Sequence, residues 1–388
     1  MKFLHTADWH LGVKTNGRDR LSEQKEVLNE ILSIANHENV DCIIVAGDVF
    51  NTSSPSAEAE ELFFDTIEKF SANGDRFVLV VAGNHDDPTR LTAGLPLATK
   101  HNIAMVGGLE RLNENSFNRN SLVQVIETGK GYVKIQKNEE VACIAYLPYP
   151  SESRISEKVD SELSLDEKVK AWSQIGSAAF SERTLNIFVS HLFMVGATID
   201  SGKVKVGDIM AVSKSSLPKA DYTALGHLHT PQEFPGKVFY AGAITRLTPR
   251  QKTLGVNIFE SESGKLLSVK TVELKNCAKY EKISVNSLEE AEDKLSAFVD
   301  SDIVELEIVQ SAPLSASSLK ELKKEYSCIS NISLVMQNQD SSTNTKGRKL
   351  LSDVELFKQF YHDAKGFDPS DDLVAMFLEC KGEEDETN

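Results

Sequence analysis

The chain has 388 residues, is 40% hydrophobic and 26% charged, and carries a formal net charge of −16. That length exceeds one ordinary domain of ~100–200 residues, and the composition excludes a disordered or fibrous chain. No apolar run approaches the ~20 residues a membrane helix needs, and the start Met1-Lys2-Phe3-Leu4-His5 turns polar too soon for a signal peptide.

The first part alternates strand and helix. Lys2–Thr6 reads as a short strand, and Leu21–His37 as a helix with Val27, Leu28, Ile31, Leu32 and Ala35 on one face. Cys42–Ala46 is a continuous apolar run, as expected of a strand covered on both faces. Residues 57–72 repeat the helical pattern through Leu62, Phe63, Ile67 and Phe70, with Gly74 placed to end it. Residues 77–82 form the next buried strand, followed by a less regular region. Further strands are expected at 141–146, 185–190, 222–225 and 238–240. Residues 151–171 are charged, helix-prone and poor in large apolar side chains, which predicts a surface insertion rather than a domain boundary. The sum is a layered α/β domain with mixed β-sheets flanked by helices, over residues 1–276.

After a hairpin at 255–259 and 267–273, the pattern becomes strand 281–285, helix 288–298, strand 303–308, helix 316–326 and strand 332–336. This predicts a small α/β domain over 277–337. Residues 338–350 have linker composition. In 351–380, Ser352 with Glu355 forms a capping box, and Asp368-Pro369 starts a second helix. The apolar faces of this helical tail suit either a partner or the small domain. Residues 381–388 are expected to be a disordered acidic tail.

Five cysteines (42, 143, 277, 328, 380) are dispersed without a CxxC pair. This argues against a disulfide framework or a Cys-based zinc site and fits a reduced, cytoplasmic setting. The acidic balance weighs against nucleic acid as a partner. However, residues 351–388 contain eleven acidic and three basic residues, so half of the excess sits in the tail. Bound divalent cations would also alter the local field.

Chemistry gathers at the strand ends. Asp8-Trp9-His10, Gly47-Asp48, Gly83-Asn84-His85-Asp86, Ser190-His191 and Gly226-His227-Leu228-His229 each follow an expected strand. In open α/β sheets ligands bind at the carboxyl ends of strands, so these runs can converge. Singly they mean little: an Asp-x-His triplet is common, Gly-Asp suits a turn, and a lone histidine is more often structural. In this order they supply carboxylates, an amide oxygen and imidazoles suited to a pair of divalent cations. His5, His37, His101 and His362 belong to no such pattern.

These motifs resemble those of the calcineurin-like metallophosphoesterases: DxH, GDxx(N/D), GNHD, a lone His and GHxH. The runs from His5 to Gly12, Val45 to Phe50 and Ala224 to His229 are similar, more narrowly, to the SbcD family, the nuclease subunits of bacterial SbcCD double-strand-break repair complexes. The resemblance implies that Asp8, His10 and His229 hold one metal ion and Asn84, His191 and His227 the other, with Asp48 bridging. It implies Mn2+ and a catalytic role for His85, with Asp86 either orienting that imidazole or holding the loop. It further implies ATP-dependent 3′-5′ exonuclease and hairpin-opening endonuclease activity in DNA recombination, replication and repair. An SbcC-type ATPase partner is implied, with two copies of each subunit and a homodimer contact through the early helices. The sequence has no GxxxxGK[ST] phosphate loop, so ATP dependence would come from that partner.

Asn51 stands where relatives carry Asp or His, and Gly242-Ala243-Ile244-Thr245 replaces a Gly-Ser-Pro type of turn. Basic residues leaving the expected metal face are candidates for DNA contact: Lys14, Arg18, Arg20, Arg90, Lys203, Lys205, Arg246, Arg250 and Lys252. The alternative for each is solvated loop charge. A protein phosphatase would carry GDxxDRG and GNHE, which this chain lacks, and a non-catalytic scaffold would tolerate lost ligands, whereas every ligand position is filled.

Overall fold

Strands that are apolar at every residue need cover on both faces, and the chain supplies that cover in layers. The computed structural model describes residues 1–151, 153–155, 159–160, 162–199, 202–203, 211–310 and 314–336, with 358, 361, 369, 370 and 374. The chain divides into two compact units, Met1–Val335 and Met336–Asn388.

The first sheet contains β1 (Lys2–Thr6), β2 (Cys42–Ala46), β3 (Phe77–Val81) and β4 (Ile103–Val106), all parallel. The second contains the hairpin strands β5 (Gln124–Gly129) and β6 (Tyr132–Lys137), then β7 (Glu140–Leu147), β8 (Leu185–His191) and β9 (Tyr222–Gly226). Its other edge is β10 (Gln232–Phe234) with β11 (Val238–Tyr240), giving the order β10-β11-β9-β8-β7-β6-β5. The antiparallel hairpin β12 (Gly255–Glu262) and β13 (Lys265–Glu273) returns to the first sheet beside β1.

Alternate residues of each buried strand face different layers. Ile43 and Val45 pack with α1 (Leu21–His37) and α2 (Ala57–Phe70), while Cys42, Ile44 and Ala46 face the second sheet. The far side of the second sheet is covered by α3 (Leu165–Ser177), through Val169 and Trp172. The helix bears out the helix-prone reading of residues 151–171 and corrects the surface-insertion reading for its last part, 165–171. Ser164 and Glu167 form a capping box, and two large buried side chains suffice to seat the helix. Helix α2 also ends earlier than the sequence predicts, in a turn where Ala72, Asn73 and Gly74 all take positive φ. Strands β4, β5 and β6 fill the region expected to be irregular. There β5 begins by alternating exposed and half-buried residues, while β6 alternates half-buried residues with buried Val133 and Ile135.

Residues 280–336 form a three-stranded sheet, β14 (Tyr280–Val285), β15 (Ile303–Gln310) and β16 (Ile329–Met336), with α4 (Leu288–Leu295) and α5 (Ala316–Glu325). Its own small core includes Val285, Leu295, Leu306, Ile308 and Leu322. The segment leading into it is tied down on both sides of the peptide chain. The Glu30 carboxylate accepts from Lys275 and Asn276 N–H at 2.8 Å each, and the Arg246 guanidinium donates to the Ala278 carbonyl at 3.0 Å.

In the second unit Lys358, Tyr361 and Val374 are helical. The expected linker at 338–350, most of the helical tail at 351–380 and the tail at 381–388 lie outside the described residues.

Candidate metal centre

Both sheets end at one site. Asp8, Asp48 and Asn84 follow β1, β2 and β3, His191 ends β8, and His227 and His229 follow β9. Backbone bonds register the first two loops: Asp8 N–H donates to the Gly47 carbonyl and His10 N–H to the Asp48 carbonyl, both at 3.0 Å. The turns are tight enough that Asp8, His10, Asp48 and His227 adopt positive φ (52°, 46°, 50° and 93°). Such non-glycine conformations cost on the order of 1–3 kcal/mol each and persist only when surroundings enforce them. Gly47 is required by space as well as by its φ of 89°, because a Cβ there would lie 2.1 Å from His191 Nδ1.

The donor atoms converge in overlapping groups. One comprises Asp8, His10 and His229, another Asp48, His191 and His227, and Asp48 and His10 also group with His85. His10 Nε2 lies 3.1 Å from His229 Nε2 and 3.7 Å from Asp48 Oδ2. His191 Nε2 lies 3.0 Å from Asn84 Oδ1, 3.2 Å from Asp48 Oδ2 and 3.1 Å from His227 Nδ1. His191 Nδ1 meets the Ala46 carbonyl at 2.9 Å, which directs Nε2 toward the cluster.

Burial drives the electrostatics. Desolvation pulls His10 down to about 3 and takes His227 well below the ordinary histidine range, which keeps both imidazoles neutral. Burial raises Asp8 to about 7, aided by the Asp48 charge and opposed by His191. Burial also opposes charge on His191, but Asp48 outweighs it and lifts His191 to about 9. Asp48 is held below the carboxylate range, since the His191 charge and hydrogen bond overcome its burial. Without a cation the His191 charge offsets Asp48, while neutral His10 and His227 and the Asn84 amide oxygen turn further lone pairs inward; a bound cation would take the place of the His191 proton. This oxygen/nitrogen set therefore fits divalent cations such as Mn2+.

His85 stands at the edge of the cluster. Its N–H donates to Asp48 Oδ1 at 2.9 Å, its Nδ1 lies 2.7 Å from the Asn51 carbonyl, and its ring packs edge-on to His10 at 4.9 Å. The Asn51 backbone, whatever its side chain, thus meets the imidazole. Asp86 does not orient His85. Its buried carboxylate accepts from Gly83, Val49 and Phe50 N–H (2.8, 3.2 and 2.9 Å), so it holds two ligand loops together.

Several neighbours carry no motif in the sequence. The Tyr149 and Phe193 rings lie against His227 at 5.8 and 3.9 Å between centroids. Buried Gln251 donates to the His229 carbonyl at 2.8 Å, and Gln24 to the carbonyls of Trp9 and His10 at 2.9 and 2.8 Å. Only a polar residue at an otherwise buried position could have flagged these.

The basic residues fall into different classes. Arg20 is buried and bonded to Glu23 at 2.9 Å and to the Arg246 carbonyl, which corrects its assignment to a DNA-facing surface. Arg18 donates to the carbonyls of Asp302 (2.7 Å) and Asp300, so it ties the small sheet to the loop after the first motif. Arg246 donates to the Lys252 and Ala278 carbonyls at 3.0 Å. Arg90 is exposed and paired with Glu60 at 2.6 Å. The Lys203 side chain and all of Lys205 lie outside the described residues.

The match to known proteins covers the same ground. The family model of the calcineurin-like phosphoesterases matches residues 1–231. The chain is 31% identical to the SbcD component of the SbcCD nuclease of Bacillus subtilis, over 100% of this chain and 99% of that one. It is 25% identical to the SbcD component of the same nuclease in Staphylococcus epidermidis, over 93% and 92% of the two chains. For Staphylococcus saprophyticus the figures are 24% identity over 94% of each. A family model spanning more than half of the chain, joined to a full-length relative of this identity, places the chain in the calcineurin-like phosphoesterase family, among the SbcD nucleases, as a hydrolase of ester bonds.

Proposed function

We propose that the chain is the metal-dependent nuclease subunit of an SbcCD-type complex, cutting double-stranded DNA 3′-5′ from its ends and opening hairpins when an SbcC-type ATPase partner supplies ATP hydrolysis. The observation that carries this is the position of the Asp48 carboxylate, shared between donor groups drawn from both sheets. In this reading Asp8, His10 and His229 would hold one ion and Asn84, His191 and His227 the other, with Asp48 available to both. When bound, the ion pair supplies Lewis-acid stabilisation and a water of lowered pKa for in-line attack on a phosphodiester. His85 is the catalytic residue. Held between Asp48 and the Asn51 carbonyl, it stabilises charge on the phosphate or passes a proton to the leaving 3′ oxygen.

Residues 277–337 serve as the capping domain, and 351–380 as the helical segment that binds the partner's coiled coil. A homodimer forms through α1 and α2, with two copies of each subunit in the complex. Arg90, Lys203 and Lys205 are the DNA contacts this reading retains. The exposed Arg90–Glu60 pair is weak enough to give way to a phosphate. The test is Mn2+-dependent cleavage of hairpin and blunt-ended DNA by the chain with its ATPase partner and ATP. His85→Ala should lower cleavage by roughly 10²–10⁴-fold while Mn2+ binding persists. Undiminished cleavage would remove His85 from the chemistry.

A further inference from the structure

The loop carrying Asn84 has its backbone donors held from one side. Gly83 N–H donates to Asp86 Oδ2 at 2.8 Å and His85 N–H to Asp48 Oδ1 at 2.9 Å. Gly83 itself is pressed so close to Asp48 that a Cβ would lie 2.2 Å from its backbone nitrogen. The carbonyls of Gly83 and Asn84 face the other way, and buried or half-buried carbonyls need a partner. Arg154 supplies it. One guanidinium nitrogen donates to the Gly83 carbonyl and another to the Asn84 carbonyl, the latter at 2.8 Å.

Arg154 is itself held in place. Its N–H and that of Ile155 both donate to the Ser151 carbonyl at 3.0 Å, and Ile155 is buried in the outer core with Trp172. Its guanidinium lies over the Tyr149 ring, 5.5 Å from the centroid, within cation–π range. Tyr149 N–H donates to the Ala82 carbonyl at 3.0 Å, and its ring packs on His191 and His227 at 6.3 and 5.8 Å. Arg154 and Tyr149 therefore contact all three residues assigned to the second ion. A lysine could satisfy one of the two carbonyls but lacks the planar fork for both.

We propose that Arg154 is a positioning residue, fixing the Asn84 amide oxygen beside His191 and His227 by clamping the two carbonyls of its loop, and so setting the affinity of the second metal position. The inference rests on the metal-dependent reading above. It is distinct from a phosphate-contact role, which the same residue type would suit.

The test is Mn2+ titration by calorimetry of the full chain, Arg154→Ala and Arg154→Lys, alongside steady-state DNA cleavage with the partner. Partners that orient metal ligands typically alter affinity 10–100-fold when removed. Arg154→Ala should thus weaken one of two Mn2+ affinities by about 10–100-fold. KM for DNA should be unchanged, and the lost rate should return at saturating Mn2+. Arg154→Lys should fall between the two, and metal-free thermal unfolding should stay cooperative in all three, so that any loss of Mn2+ affinity is not a loss of fold. If Mn2+ affinities are unchanged while KM rises and its salt dependence weakens, Arg154 contacts phosphate and the proposal is overturned. Full recovery by Arg154→Lys would overturn the fork. A parent chain that binds no Mn2+ would instead overturn the metal-dependent reading, and this inference with it.

Discussion

Buried histidines in this chain divide by what their ring nitrogens meet. Those of the cluster face one another and Asp48, whereas His5 is fully buried with Nδ1 3.1 Å from the Tyr222 hydroxyl and Nε2 without a partner among the described residues. Burial takes His5 down to about 3. The unfolded chain, with an ordinary histidine near 6.5, therefore binds a proton first as pH falls. Its contribution to stability is complete above about pH 6.5 and is lost progressively as pH drops toward the folded value. Urea unfolding in EDTA between about pH 7 and pH 5 should show stability falling more steeply for the parent chain than for His5→Gln. The difference should amount to about 2 kcal/mol over that range, its slope approaching about 1.4 kcal/mol per pH unit toward pH 5. Equal slopes would mean that His5 does not change its protonation on folding.

Among the elements, α3 is the least conspicuous in sequence and one of the more consequential in packing. Trp172 is 1% exposed and lies in the core between this helix and the second sheet. Trp172→Ala should cost about 3–5 kcal/mol in urea unfolding, as large-to-small core changes do; a loss below about 1 kcal/mol would place the helix outside the cooperative core. The ligand-bearing strands are easy to read, because β2 and β3 are apolar at every position and their ends stand out. Helix α3 is legible as a helix but not as a core element, since charges at Asp166, Glu167, Lys168 and Lys170 mask Val169 and Trp172. Strand β5 is hidden because a half-buried edge strand admits polar residues, and β6 because its two buried residues, Val133 and Ile135, are flanked by polar ones. The motif residues announce themselves through order and spacing. Arg154, Gln251 and Gln24 do not, because their partners are backbone carbonyls that any sequence possesses.

At the scale of the molecule, the loops that bear the metal-centre residues also carry the ties to the small sheet. Gln251 donates to the His229 carbonyl, Arg246 joins the same loop to Ala278, and Arg18 reaches from the loop after His10 to Asp302. Hydrogen bonds from charged donors contribute roughly 1.5–3 kcal/mol each, less where solvent reaches them. Arg246→Ala should therefore speed amide exchange across residues 280–336 while leaving Cys42–Ala46 protected. A uniform loss of protection would show instead that the small sheet and the layers unfold as one.

The donors are divided by origin: Asp8, His10, Asp48, Asn84 and His85 arise from the first sheet, and His191, His227 and His229 from the second. Every donor group that contains a second-sheet histidine also draws on the first sheet. Ion uptake is thereby a reporter of assembly. Two polypeptides made by severing the chain at the turn between β6 and β7 would each carry only part of the donor set. Their reunion, or its failure in a variant whose sheets slide, would be visible as the gain or loss of a bound cation before any substrate was offered.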